Sequence, residues 1–194
     1  MGLKGRVRAK EWFCGMILDK RLEDLKQTMF VVSLKQPRNT FERIRIWVPN
    51  LAQFEPGFPN WVRMVCHLSF QTSARINFYT SEKNRDSFIT ALNTNKVKTP
   101  YDCTVLNSPA EFFPLEHKNE SDTFFILIGA REDSISYASW LGRLPHLTSK
   151  WLPDNSFAIV YPSHDQTQGA HAGSWLSSDV SKLYTDNNTV TGDD

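Results

Sequence analysis

The chain has 194 residues, enough for one domain with a substantial core. Its 22 Lys and Arg are balanced by 21 Asp and Glu, which excludes the strongly basic footprint of a dedicated nucleic-acid binder. No run approaches the roughly 18 uninterrupted apolar residues of a membrane span, and no apolar core follows the basic N-terminal residues as in a signal peptide, so the chain as given reads as soluble. Cys14, Cys66 and Cys103 lie far apart with no Cys-x-x-Cys pair, the usage expected of reduced and mostly buried thiols.

Residues 1–41 read as an N-terminal arm. Lys4, Arg6, Arg8 and Lys10 alternate, and Trp12, Phe13, Met16, Ile17 and Leu18 follow. Either the arm packs on the edge of the domain, or it is a juxtamembrane segment with its basic residues on the cytoplasmic side. Within it, Met29–Leu34 has strand character and Gln36-Pro37-Arg38-Asn39 that of a turn. Arg43–Val48 alternates charged and apolar residues and is the first strand of the main unit. Pro56-Gly57-Phe58-Pro59 then breaks the chain, Pro59-Asn60 opens a helix, and Trp61, Val62, Val65 and Leu68 keep helical spacing. Arg75–Tyr79 is a strand, and Glu82–Leu92 a short amphipathic helix with Ser81 as its expected N-cap.

Tyr101–Leu106 has the pattern of another strand, and Asn107-Ser108-Pro109-Ala110-Glu111 that of a helix start, with Phe112, Phe113 and Leu115 on the apolar face. Phe124–Ile128 is wholly apolar and stops at Gly129, the signature of a strand buried on both faces. A polar loop, Arg131–Ser134, leads into helical content around Ser136–Trp151, and Phe157–Tyr161 is a last strand ending at Pro162. Residues 164–194 read as a polar, largely disordered tail, in which Trp175, Leu176, Val180 and Leu183 would dock at most a turn or two of helix.

Counted from Arg43, strands and helices alternate through residues 42–163. Right-handed crossovers then give an α/β fold: an open, mainly parallel, five-stranded sheet of order 3-2-1-4-5 with helices on both faces.

Catalytic chemistry has little support. His67, His117, His146, His164 and His171 are scattered without metal-ligand spacing, and no nucleophile-elbow, zinc-protease, phosphate-loop or dinucleotide fingerprint occurs. The candidate ligand site comes from topology. In this strand order ligands sit at the carboxyl ends of the strands, where the order reverses. That places Pro49 and Asn50 opposite Gly129, Ala130, Arg131 and Ser134, with Arg131 in reach of a phosphate. The competing reading is structural: Gly129 permits close packing and Arg131 pairs with a neighbouring carboxylate. Trp47, Phe54, Phe58 and Trp61 likewise read either as an exposed partner patch or as core, and Trp140, Trp151, Phe112, Phe113 and Phe125 as core.

Phe125-Ile-Leu-Ile-Gly-Ala-Arg-Glu-Asp-Ser-Ile-Ser-Tyr137, Leu144-Pro145 and Ser149–Pro162 together resemble the end of the cytosolic, universal-stress-protein-like domain of bacterial cation/proton antiporters of the monovalent cation:proton antiporter-2 type. Arg43-Ile-Arg-Ile-Trp-Val-Pro-Asn50 is similar to the opening strand of such domains, so the likeness spans about residues 43–162. It implies a non-catalytic regulatory domain beside the membrane-embedded part of a sodium or potassium/proton antiporter, at the cytoplasmic face of the inner membrane, pairing as a homodimer. The alternatives are a free-standing nucleotide-binding universal stress protein and, further off, a small α/β hydrolase or transferase. Nucleotide-binding members carry Gly-x-x-Gly after the fourth strand. Here Gly129 is followed by Ala130, Arg131 and Glu132, so the second glycine is a carboxylate and no cofactor is expected.

Overall fold

The computed structural model describes residues 27–37, 40–106, 111–112 and 121–163. Among these, six strands form one sheet: β1 (Met29–Ser33), β2 (Arg43–Trp47), β3 (Arg75–Ser81), β4 (Tyr101–Leu106), β5 (Thr123–Ile128) and β6 (Ser156–Tyr161). Three α-helices accompany them, α1 (Phe58–Thr72), α2 (Glu82–Thr94) and α3 (Leu144–Trp151), with 3-10 turns at Ala52–Phe54 and Leu141–Arg143. The sheet order is β1-β6-β5-β2-β3-β4. The pairs β2–β3, β2–β5, β3–β4 and β5–β6 are all parallel, so β2 to β6 reproduce the doubly wound order expected from the sequence.

The sheet nevertheless has six strands and not five. Met29–Ser33 adds to the far edge, antiparallel to β6, with Val31 opposite Ile159. Its reach comes from the chain running back along β6 before β2 begins, and a backbone edge left by β6 is satisfied by pairing. The expected arm is thus sheet at its C-terminal end, while residues 1–26 lie outside the described residues.

Alternation along the strands divides the core into two layers. Ile44, Ile46, Ile76, Phe78, Phe124, Ile126, Ile128, Ala158 and Val160 face α1 and α2, whose Phe58, Trp61, Val62, Val65, Phe88 and Leu92 close over them. Trp47, Tyr79, Phe125, Leu127, Ile159 and Tyr161 face the other side, under Phe112, Leu141, Leu144 and Leu152. The central position of β5 explains its apolar run, since all six of its residues are buried. Each fully buried large apolar side chain contributes about 1.5–3 kcal/mol relative to exposure, and Phe58, Trp61, Phe78 and Phe88 form edge-on ring contacts in addition.

Three expectations are corrected by this packing. The helical content expected around Ser136–Trp151 starts only with a 3-10 turn at Leu141–Arg143, and the α-helix itself at Leu144. Pro145 has no N–H and would collide with the carbonyl four residues back in a continuing helix, so it is accommodated only in the first turn. Upstream, the Ser136 N–H is held by Glu55 and not by a helical carbonyl. Second, Trp47, Phe58 and Trp61 are buried and only Phe54 is exposed, so this quartet makes no partner patch. Third, Ser81 occupies the N-cap of α2 without capping it; its hydroxyl donates instead to Asn50 Oδ1 at 2.5 Å. Trp140 and Trp151, read as core, pack half-buried against the second layer, and Phe112 and Phe125 are buried as expected. The helix expected from Asn107 falls outside the described residues apart from Glu111 and Phe112, as does Phe113.

Candidate functional site

At the carboxyl end of the sheet the loop after β2 is built by one buried amide. Asn84, on the first turn of α2, is 4 % exposed. Its Oδ1 accepts from Leu51 N at 3.2 Å and from Gln53 Nε2 at 2.8 Å, while its Nδ2 donates to Thr80 Oγ1 at 3.0 Å. This clamp holds Leu51 at φ 66°, a left-handed conformation that costs a non-glycine residue about 1–2 kcal/mol. Strain of this kind persists only where surrounding bonds over-determine it, and it turns the chain sharply behind Asn50.

That turn opens a cleft of about 280 Å³ between the end of β2, the end of β3 and the loop Ile135–Leu141. Asn50 and Ser81 form one polar wall, joined by their 2.5 Å hydrogen bond. Ser136 and Tyr137 face from the other side. Trp47 and Trp140, with ring centroids 4.8 Å apart and planes at 69°, supply an aromatic flank. No charged side chain lines the cleft among the described residues. Its volume lies at the small end of ligand sites, roughly 300–1,000 Å³, and its place at the reversal of strand order is where ligands of such sheets bind.

The six residues singled out from sequence divide into two groups here. Pro49 and Asn50 line the cleft. Gly129, Ala130, Arg131 and Ser134 share the carboxyl end of the sheet but track toward β6. The Gly129 N–H donates to Val160 O at 2.8 Å, and a Cβ at Gly129 would stand 2.7 Å from the Tyr161 ring, so this glycine serves a close approach of backbone to aromatic face. Arg131 is buried at 8 % exposure. Its Nε donates to Pro162 O at 3.3 Å and its guanidinium to Gln27 O at 2.8 Å, which ties the approach to β1 to the end of β6. Burial pushes the Arg131 pKa down, and the nearby Asp133 carboxylate works against that shift. The Ser134 hydroxyl accepts from Arg131 N at 3.2 Å and closes the turn.

Residues that sequence patterns did not single out carry as much of the site: Thr80 and Ser81 at the end of β3, Asn84, and Ser136 with Tyr137. Their signal was topological. Once β3 lies beside β2, the residues ending it must border Asn50, and Asn84, in the first turn of the helix that follows at once, reaches back to Thr80. Among the described residues no group of His, Cys, Asp and Glu side chains is placed to hold a metal ion. His67 and His146 lie exposed on α1 and α3, away from the cleft. His117, His164, His171 and Cys14 lie outside the described residues. Cys66 and Cys103 are half-buried, and burial pushes both thiols up. No helix among the described residues is long and apolar enough to cross a membrane.

No family model matches the chain, and no curated protein or solved structure matches it either.

Proposed function

We propose that this chain is a non-catalytic regulatory α/β domain of a membrane cation/proton antiporter, working as a homodimer at the cytoplasmic face of the inner membrane. The reading starts from the resemblance of residues 43–162 to such domains. The observation that carries it furthest is that this same stretch makes up the whole parallel part of the sheet, β2 to β6, with the resembling strands Arg43–Trp47 and Thr123–Ile128 side by side at its centre. In support, the cleft at the strand ends has no charged lining among the described residues, and the arginine best placed by sequence to meet a phosphate is engaged with backbone carbonyls. A site of that kind suits sensing or docking better than phosphoryl chemistry, which needs cations and freed amides around the transferred group. The reading requires the same reading frame to encode a transporter part, about a dozen apolar stretches of roughly 20 residues each. A gene that encodes only these residues sinks it.

The second reading, a free-standing nucleotide-binding stress protein, draws on the position of the cleft at the reversal of strand order. Calorimetric titration with Mg-ATP separates the two. The first expects no binding tighter than about 100 μM, equivalent to roughly 5.5 kcal/mol. A micromolar dissociation constant that disappears in Arg131→Ala supports the second.

A further inference from the structure

Two polar groups of the cleft are buried and unpaired. Ser136 is 6 % exposed; its N–H is taken by Glu55 Oε1, whereas its hydroxyl has no hydrogen-bond partner among the described residues. Trp47 is 5 % exposed, and its indole N–H is likewise without a partner among them. Neither atom is wholly enclosed, and both residues line the cleft. Buried polar groups in folded proteins nearly all have a partner, so two exceptions on one cleft call for one. The Tyr137 hydroxyl is uncommitted too, and Asn50 has its carbonyl oxygen taken by Ser81, which leaves its amide N–H groups. A volume of about 280 Å³ is many times the roughly 30 Å³ share of one water, so a single bridging water does not fill it.

We infer that the cleft binds an uncharged, polyhydroxylated ring of monosaccharide size. Charge is selected against, because no charged side chain lines the cleft among the described residues and an ion taken there would lose water without gaining a counter-charge. The uncommitted groups stand on both walls and mix rotatable hydroxyls with N–H donors. A hydroxyl brings one donor and two acceptor lone pairs, so a ring with hydroxyls around its rim meets both walls at once. The shape agrees. The Trp47 and Trp140 rings stand 4.8 Å apart at 69°, edge against face, and form a corner, not two parallel walls. A corner receives the C–H face of a puckered ring, whereas a planar base is held by stacking between flat faces. As the effector of a regulatory domain this ligand rests on the antiporter reading, but its binding rests on the cleft alone, so failure to bind leaves that reading standing.

Calorimetric titration of the full chain with D-glucose, D-galactose, D-mannose and myo-inositol tests it. Each is taken to ~20 mM, well above the dissociation constant of about 1 mM expected of a ligand with about a dozen non-hydrogen atoms. At least one of the four is expected to bind in that range. Ser136→Ala should weaken that binding about tenfold while leaving the melting temperature of the free protein unchanged, since the hydroxyl it removes holds nothing in the fold. Asn50→Ala, at an exposed position on the opposite wall, should weaken it as well. Adenosine and glucose 6-phosphate serve as the planar and the charged alternatives. No binding by any of the four neutral probes overturns the proposal, as does tighter binding of either alternative. Binding that both Ser136→Ala and Asn50→Ala leave unchanged lies outside the cleft and overturns it too.

Discussion

Glu55 reaches from the loop before α1 to the loop after β5, where its Oε1 accepts the Ser136 N–H at 2.9 Å. Both partners are buried, at 7 % and 6 % exposure. The bond joins the two loops that follow the neighbouring strands β2 and β5, and Ser136 lines the cleft, so its position there depends on a carboxylate behind the wall. Replacing Glu55 by Ala leaves a buried N–H without its acceptor, which costs about 1–3 kcal/mol. Glu55→Gln keeps an acceptor and should recover most of that loss. Urea unfolding of the two variants checks it, and equal losses would mean that the bond itself is not what matters.

Two glycines differ in what surrounds them. A Cβ on Gly57 would meet Ser163 N at 2.7 Å and Ser163 O at 2.8 Å, both backbone atoms, whereas one on Gly129 would meet only the Tyr161 ring. A ring can turn or shift and a strand end cannot. Gly57→Ala is therefore expected to destabilise more than Gly129→Ala, where overpacking of about 1–3 kcal/mol applies. Tyr161→Leu should relieve part of the Gly129→Ala defect in a double-mutant cycle, while leaving Gly57→Ala untouched.

Asp122 answers to pH. The Arg43 guanidinium, 2.9 Å away, holds its carboxyl below the usual carboxylate range. A pKa lowered in the folded state means that the unfolded chain takes up the proton first as pH falls. The contribution is thus full above the unfolded value near 3.8 and is lost as pH drops through the folded one. Both side chains are partly exposed, at 46 % and 29 %, so the pair is worth no more than about 1 kcal/mol. Asp122→Asn should lower stability slightly at pH 7 and make the loss below pH ~4 shallower. An acid limb as steep as the wild type's would show that other carboxylates govern it.

Leu51 offers a test of the clamp around Asn84. Leu51→Gly removes the left-handed penalty of about 1–2 kcal/mol but adds freedom to the unfolded chain, so the net change should be a gain of less than about 1 kcal/mol. Asn84→Leu, which removes the acceptor of Leu51 N and leaves Gln53 Nε2 with Ser87 Oγ alone, should cost about 1–3 kcal/mol and remove that gain. Thermal unfolding of the single and double variants reads both.

The strands were legible because their patterns are local. Arg43–Val48 and Phe124–Ile128 announce a half-charged and a wholly apolar strand, and crossover handedness then places them side by side. The cleft was only half legible, since Pro49 and Asn50 follow from strand order whereas its opposite wall depends on where the loop after Ala130 turns. That turn is set by contacts far apart in sequence, Glu55 to Ser136 and Arg131 to Gln27 and Pro162, which no local pattern announces. The same holds for β1. Its strand character was readable, but its place beside β6 follows from long-range pairing. Ser81 illustrates the limit in the other direction: a good N-cap residue by local rule, its hydroxyl is taken by Asn50 on the adjacent strand's loop.

Cation/proton exchange by the complete product of the gene that encodes these residues tests the central claim most directly. Everted membrane vesicles carrying it, energised to acidify their interior, are given sodium or potassium while a pH-sensitive dye reports the lumen. The account expects alkalinisation on cation addition, and a changed pH or cation dependence when the sheet is destabilised by Gly57→Ala with the membrane part still inserted. Vesicles that show no exchange with either cation, or exchange that Gly57→Ala leaves unchanged although the domain is shown to be destabilised, would contradict it.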